Sequence, residues 1–277
     1  MMSKNLSAAA RTEFDTEVHH AYQGASMLRD TVTVRTGVIG DTYKFRVMGK
    51  GLANQKPSQA DVTPMDVTHT LPTATLSNWN APEYTDIFDA AEVNFDEQSE
   101  LAMTIGMALG RRVDQLIIDA MDTATPDNSV AVGSTDLSVA KTLEASKYLN
   151  DAGAPTTDRY MAHSADGLDA MLNEEKASSG DYQTVKALIN AEINSAFGFQ
   201  WKCIESRDEG GLPKSGDNRT NFAYHKAAVG YAEGLGPRTE VNYIAQKTSW
   251  LANGILKAGA VVRDTAGFVD VVCDESA

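Results

Sequence analysis

At 277 residues, with 42% hydrophobic and 22% charged side chains, the chain has the composition of a globular protein big enough for one large domain or two modest ones. Its net charge of −14 disfavours a sequence-specific grip on DNA, because neutralising phosphates needs a basic footprint that most of the chain lacks. The first residues (Met1, Met2, Ser3, Lys4, Asn5) show no basic stretch leading into an apolar one, and no run of about eighteen apolar residues occurs, so neither a secretory signal nor a membrane span is expected.

Residues 12–29 place Phe14, Val18, Ala21, Tyr22, Ala25 and Leu28 on one stripe and predict an amphipathic helix. Two short strands are predicted next. In Thr31–Thr36, Val32 and Val34 alternate with polar neighbours; in Tyr43–Val47, Tyr43, Phe45 and Val47 alternate with Lys44 and Arg46. Gly37, Gly40 and Asp41 are the turn material between them. From Lys50 to about Asn80 the chain is polar and carries Pro57, Pro64 and Pro72. So long a stretch without periodicity reads as a functional loop or disorder, and a two-stranded extension has too little core to stand alone in water. It must remain mobile or pack on something else.

Residues 95–122 predict a long helix. Asn94 and Glu97 resemble a capping box, Leu101, Ile105, Leu109, Val113, Leu116, Ile117 and Ala120 form the apolar stripe, and Pro126 ends the run. Ala102, Gly106 and Gly110 recur every fourth residue and make a flat face for close approach by another backbone. Each mid-helix Gly costs up to about 1 kcal/mol against Ala, so a packing reason is expected. A second helix is predicted over 136–151, stopping at Gly153 and Pro155. Arg159–His163 reads as a strand, Ser164 as the cap of a helix through Leu172, and Asp181 as the cap of another ended by Gly198. Phe199–Ile204 is a further strand and Arg207–Arg219 a charged, Gly-rich loop. Extended segments follow at Phe222–Glu233, Glu240–Ala245, Ile255–Val262 and Phe268–Cys273, giving a mixed α+β chain without internal repeats.

The charge is unevenly spread. Residues 1–60 hold eight basic and five acidic side chains, a balance of +3, whereas the remaining 217 residues balance at −17. No Lys or Arg falls between Lys56 and Arg111, an interval containing Asp61, Asp66, Glu83, Asp86, Asp89, Glu92, Asp96, Glu97 and Glu100. One reading is a solvated acidic face. The sharper one is that the basic segment (Arg29, Arg35, Lys44, Arg46, Lys50, Lys56) docks on an acidic surface of another copy made by Glu83, Asp86, Asp89, Glu92, Asp96, Glu97 and Glu100.

Chemistry-bearing patterns are missing. There is no GxxxxGKS/T, no GxGxxG after a strand, no HExxH and no GxSxG. His19 and His20 are adjacent and point apart on a helix; His163 beside Ser164 has no visible orienting acid. Asp86, Asp89 and Glu92 lack the Gly and ligand spacing of a calcium loop. Cys203 and Cys273 have no CxxC or His partner and are read as two small buried hydrophobes, with a late disulfide left open. No catalytic residue, metal or cofactor is expected.

Five segments carry a family likeness: FDTEVHHAYQGASMLRDTV (14–32), MALGRRVDQLIIDAM (107–121), TLEASKYLNDAGAPTTDRYMAHS (142–164), HKAAVGYAEG (225–234) and ILKAGAVVRDTAGFVDVV (255–272). With the order arm, long hairpin, acidic segment, long helix, α/β portion and returning strands, the chain resembles the Hong Kong 97-type major capsid proteins of tailed bacteriophages. The resemblance implies an N-terminal arm (1–35), an extended E-loop (36–80), a peripheral domain with a long spine helix (81–130 and 222–263) and an axial domain (131–221 and 264–277). It implies self-assembly into hexamers and pentamers of an icosahedral shell around double-stranded DNA, touched only non-specifically, with manufacture in the bacterial cytoplasm and residence in the virion. Because the first helix begins almost at once, a separate scaffolding protein is implied, as in many short-tailed phages, and a portal protein is a further partner. An encapsulin-like compartment holding cargo enzymes shares the fold and is the alternative.

Overall fold

The computed structural model describes residues 26–87, 97–174 and 195–276. In chain order the N-terminal half contributes strands β1 (Thr33–Arg35), β2 (Thr42–Lys44), β3 (Val47–Met48), β4 (His69–Thr70), β5 (Thr73–Thr75) and β6 (Ser77–Asp86), helix α1 (Glu97–Thr123) and strand β7 (Asn128–Val130). Helix α2 (Val139–Asp151), β8 (Arg159–Ser164), α3 (Ala165–Asn173), β9 (Ser195–Ala196) and β10 (Phe199–Ile204) follow. The chain closes with β11 (Lys214–Ser215), β12 (Asn218–His225), β13 (Val229–Ile244), β14 (Ser249–Val262) and β15 (Phe268–Asp274).

Helix α1 forms where the apolar stripe requires it: Ile105, Leu109, Val113, Ile117 and Ile118 are buried, and at 27 residues the helix is about 40 Å long. It lies on a four-stranded sheet of order β1-β13-β14-β6, in which β1 runs parallel to β13 and the other pairs are antiparallel. The approach is close because Gly254 of β14 has no side chain. A Cβ there would stand 2.3 Å from Ile105 Cγ2 and 3.0 Å from Leu109 Cδ1.

A second sheet has the order β7-β15-β12-β8-β10-β9, with β11 paired to β12. Helix α2 covers one face through Val139, Ala145 and Leu149, which join Met161, Phe199, Ala223, Val269 and Val271 in one core cluster. The opposite face shares a larger cluster with α1, where Tyr160, Phe222, Tyr224 and Phe268 meet Val113, Ile117 and Met121. Spine and sheets are thus one packed body.

From this body a ribbon projects. Its root pairs β2 with β5, then Phe45 N–H donates to Pro72 O at 2.9 Å, β3 pairs with β4, and Gly49 N–H donates to Thr68 O at 2.8 Å. Phe45, Ala74 and Leu76 form a small core with Ala232 at the root. Farther out that core ends: Met48, Leu52, Val62, Met65 and Leu71 are all exposed.

Several sequence expectations need correction. The polar stretch ending near Asn80 contains the start of β6, a ten-residue strand with Pro82 inside it. Pro82 is tolerated because β6 is the sheet's edge, where no second neighbour needs its missing N–H. The strand expected at 222–233 is two strands, divided by a 3₁₀ turn at Lys226–Ala228. All of β12 lies in the second sheet, so the domain boundary expected at 222 cuts through a strand. Cys203 is exposed, not buried, whereas Cys273 is buried; both are free thiols. Of the helix expected at 12–29, residues 12–25 lie outside the described residues, and Arg29–Thr31 is a 3₁₀ turn. Asn94 of the expected capping box and most of the helix expected after Asp181 also lie outside them.

Candidate functional site

The basic residues singled out by charge divide into two kinds. Lys44, Arg46, Lys50 and Lys56 are exposed along the ribbon and Arg35 is exposed at the end of β1. Arg29 is different. Its Nη2 and Nε donate to Glu233 Oε2 of the same chain at 3.1 and 3.3 Å, and Glu233 is buried. Arg29 therefore fastens the chain to β13 and is not available as a free docking charge. Lys50 Nζ reaches Ala152 O at 3.0 Å, capping the carbonyl end of α2, where a cation is favoured by the helix dipole.

Among the expected acceptor acids, Glu83 is exposed on edge strand β6, while Asp86 and Glu100 are half-buried and have partners within the chain. Asp89, Glu92 and Asp96 lie outside the described residues, as does the side chain of Glu97. The Lys247 ammonium sits 3.8 Å from the Tyr84 ring centroid, so a cation of this chain already stands beside β6.

The small-residue face of α1 is used unequally. At Gly110 a Cβ would come 3.0 Å from Ser26 N, so the segment entering from the N-terminal side crosses the helix there. Gly106 meets nothing within 4 Å and is exposed, and Ala102 is half-buried.

Sequence reading missed the group that fixes this crossing. Asp114, fully buried on α1, accepts hydrogen bonds from Ser26 Oγ (2.9 Å), Met27 N (3.0 Å), Leu28 N (3.0 Å) and Arg207 Nη2 (3.0 Å). A buried carboxylate is tolerable only when its charge is paired and its lone pairs are filled, and here both conditions hold. Local sequence gave no signal, because every partner is more than eighty positions away.

Buried Lys141 is a second such device. Its ammonium donates to the carbonyls of Val132 (2.7 Å), Thr135 (2.6 Å) and Val272 (2.9 Å), filling all three donors and stitching the 132–135 turn to β15. Burial holds its pKa below the usual lysine value.

His163 and Ser164, adjacent in sequence, serve the fold. Ser164 Oγ accepts from Gly167 N at 3.1 Å and caps α3. His163 is buried, its ring edge-on to Trp201, and its Nδ1–H donates to the Ser164 carbonyl at 2.8 Å. Burial lowers its pKa and keeps the ring neutral. Among the described residues, no group of three His, Cys, Asp or Glu side chains is placed to hold a metal ion, and no helix is long and apolar enough to cross a membrane. Among the described residues the geometry presents a packed body and a ribbon with apolar residues in the open. That is equipment for contact between chains.

Comparison with solved structures agrees. The fold superposes on the head structure of Helicobacter pylori bacteriophage KHP40 with a TM-score of 0.80, at 9% identity over 96% of both chains. It superposes on the capsid of cyanophage P-SCSP1u with a TM-score of 0.73, at 17% identity over 98% of this chain and 95% of that one. For the capsid of a native GTA particle the TM-score is 0.68, at 13% identity over 99% of each. The architecture is therefore the Hong Kong 97-like capsid fold that the order of elements resembles. No curated protein matches the sequence. The family profile described as phage capsid protein matches residues 6–275, nearly the full length, and the chain belongs to that family as a structural capsid protein.

Proposed function

We propose that the chain forms the hexamers and pentamers of an icosahedral virion shell by laying its ribbon, residues 46–71, on an adjacent copy. The observation that carries this is the ribbon's exposed apolar set: Leu52 is 80% exposed, Val62 75% and Met48 70%, with no core of their own chain beneath them. A patch of that kind marks an interaction surface. Lys44, Arg46, Lys50 and Lys56 supply steering charge, and an acidic body including Glu83, Asp86, Asp89, Glu92, Asp96, Glu97 and Glu100 supplies the opposite potential. The segment before Ser26 is the arm, the spine-helix sheet the peripheral part, and the second sheet with α2 and α3 the axial part around capsomer centres. An acidic shell contains double-stranded phage DNA without gripping it, so contact with the genome is non-specific. Synthesis in the host cytoplasm, with scaffolding and portal proteins as partners, completes the reading.

Electron micrographs of the purified chain test it: closed shells or capsomer arrays are expected. Reversal of Arg46 and Lys50 to Glu should impair assembly while the circular dichroism of the subunit stays unchanged. Normal shells from that variant at low salt would sink the charge-docking account.

A further inference from the structure

Beyond its root the ribbon touches its own body a second time. Its ladder ends at Gly49, whose N–H donates to Thr68 O, and at the next residue the Lys50 ammonium donates to Ala152 O at 3.0 Å. Ala152 ends α2, which packs on the second sheet, whereas the root core of Phe45, Ala74 and Leu76 sits on Ala232 of the first. Between ribbon and body lies a cleft of about 400 Å³ walled by Met48, Lys50, Ala152, Pro155, His225 and Asp264. The ribbon is therefore tied to both sheets, once at its root and once where its ladder stops.

The end of α2 explains why a lysine lands there. Gly153, at φ +78°, closes the helix: its N–H donates to Asn150 O at 2.9 Å, and Ala154 N–H donates to Leu149 O at 3.0 Å. The Ala152 carbonyl lies past those bonds, and the last turn carries no basic residue of its own to meet the negative end of the helix dipole. Other polar groups on the cleft wall are used locally, since Asp264 Oδ1 accepts from Ala266 N and His225 Nδ1 from Ala227 N, each at 3.1 Å. We infer that Lys50 is a strut, which ties the outer end of the ribbon's ladder to the C-terminus of α2 and so sets the direction in which the ribbon leaves the body. The strut belongs to the lone subunit. Its consequence rests on the shell reading above: a ribbon held in one direction loses less freedom on docking than one that swings, and assembles faster. The ammonium keeps its charge against a neutral carbonyl, so it still contributes to long-range steering.

The test compares Lys50→Met, which keeps an apolar stem and removes the donor, with Lys56→Met, which removes the same charge from an exposed position farther along the same limb. The first readout is amide exchange at Gly49 in the unassembled full-length chain. An exposed cation at a helix C-terminus is worth roughly two- to fivefold in population, so Lys50→Met should speed that exchange by about this factor. Lys56→Met should leave it unchanged, and Lys50→Arg, which keeps a donor, should stay near the parent. The second readout is assembly rate by light scattering, where Lys50→Met should be slower than Lys56→Met by a similar factor. Unchanged Gly49 exchange in Lys50→Met, or equal acceleration in Lys56→Met, would overturn the strut. Equal slowing of assembly by the two variants would reduce Lys50 to a steering charge, and faster assembly of Lys50→Met would make the contact a restraint; either result overturns the role inferred for it. If Gly49 exchange responds as expected but the parent chain never forms particles, the strut stands and the shell reading fails.

Discussion

Replacing Asp114 by Ala removes one carboxylate and strands four donors. Leu28 N–H is left in a fully buried setting, and an unsatisfied buried donor costs roughly 1–3 kcal/mol. Arg207, whose side chain is only 10% exposed, loses its buried partner, and breaking a buried pair costs about 3–5 kcal/mol. Glu205 lies 2.8 Å from Arg207 Nη1 and is 43% exposed, so it takes up part of that charge and favours the low end. Because the two costs share one network they do not add, and a total of about 3–5 kcal/mol is expected. Set against a typical stability of about 5–15 kcal/mol, that is severe. The assay is equilibrium urea denaturation of the unassembled subunit, since assembly itself stabilises by mass action. Arg207→Met alone should cost less, because Asp114 keeps its three donors from Ser26, Met27 and Leu28. A double-mutant cycle should then show coupling of about 1 kcal/mol or more. Additivity within roughly 0.3 kcal/mol, or a loss below about 1 kcal/mol for Asp114→Ala, would refute the anchor.

Asp270 carries a buried oxygen without a partner among the described residues, and burial, with Asp122 nearby, pushes its pKa up to about 6. The folded state therefore holds this proton more tightly than the unfolded chain. Its stabilisation is complete below about pH 4 and lost as pH rises through about 6. Asp270→Asn should accordingly gain roughly 1–2 kcal/mol over the parent at pH 7.5, after allowance for solvent screening, and nothing near pH 4; a pH series of urea midpoints reads this directly. Gly254→Ala should destabilise by about 1–3 kcal/mol, since the new methyl overlaps Ile105 on the spine helix. Gly106→Ala should instead gain up to about 1 kcal/mol in subunit stability by thermal denaturation, because nothing stands within 4 Å of it. Slower assembly of that same variant would show that another copy packs against the spine there.

What the sequence disclosed follows from where the determining interactions lie. The spine helix was readable because its stripe of Ile105, Leu109, Val113 and Ile117 is a local, periodic signal, and each of these is buried. β10 was readable from its apolar and aromatic content, with Phe199 and Trp201 buried on one face and Ile204 on the other. Period two puts Cys203 on the Phe199 and Trp201 face, where burial was expected, yet the residue is exposed. β6 was hidden because an edge strand with a mostly exposed surface needs little apolar content, and Pro82 reads as a breaker. β13 was hidden as one continuous strand because register shifts between Glu233 and Arg238 interrupt the period around Gly234, Gly236 and Pro237. The charge split led to the ribbon, but it overcounted Arg29 as a docking group. Ion pairs such as Arg29 with Glu233 join residues about two hundred positions apart, and no window along the chain contains both.

These long-range contacts explain why the ribbon can be coreless without being shapeless. Its root and the chain entering from Ser26 are fixed at neighbouring points. Arg29 is held by the Glu233 side chain, Val38 N–H donates to the Glu233 carbonyl at 3.0 Å, Leu76 N–H donates to Asp41 O at 2.8 Å, and Asp41 pairs with Lys257. The ribbon therefore leaves the body beside the bulged part of β13. Ordering one free residue costs about 1–2 kcal/mol, so a wholly disordered ribbon would demand more than the burial of a few apolar side chains returns. The paired positions Val47 with Thr70 and Met48 with His69, together with the Gly49 to Thr68 hydrogen bond, already restrict much of that freedom in the subunit. In the proposed docking, what is left for assembly to order is the tip, where Leu52, Val62 and Met65 stand exposed. Rigidity at the root and apolar surface at the tip are thus two parts of one arrangement. The first limits the entropy lost on docking, and the second supplies the burial that offsets what remains.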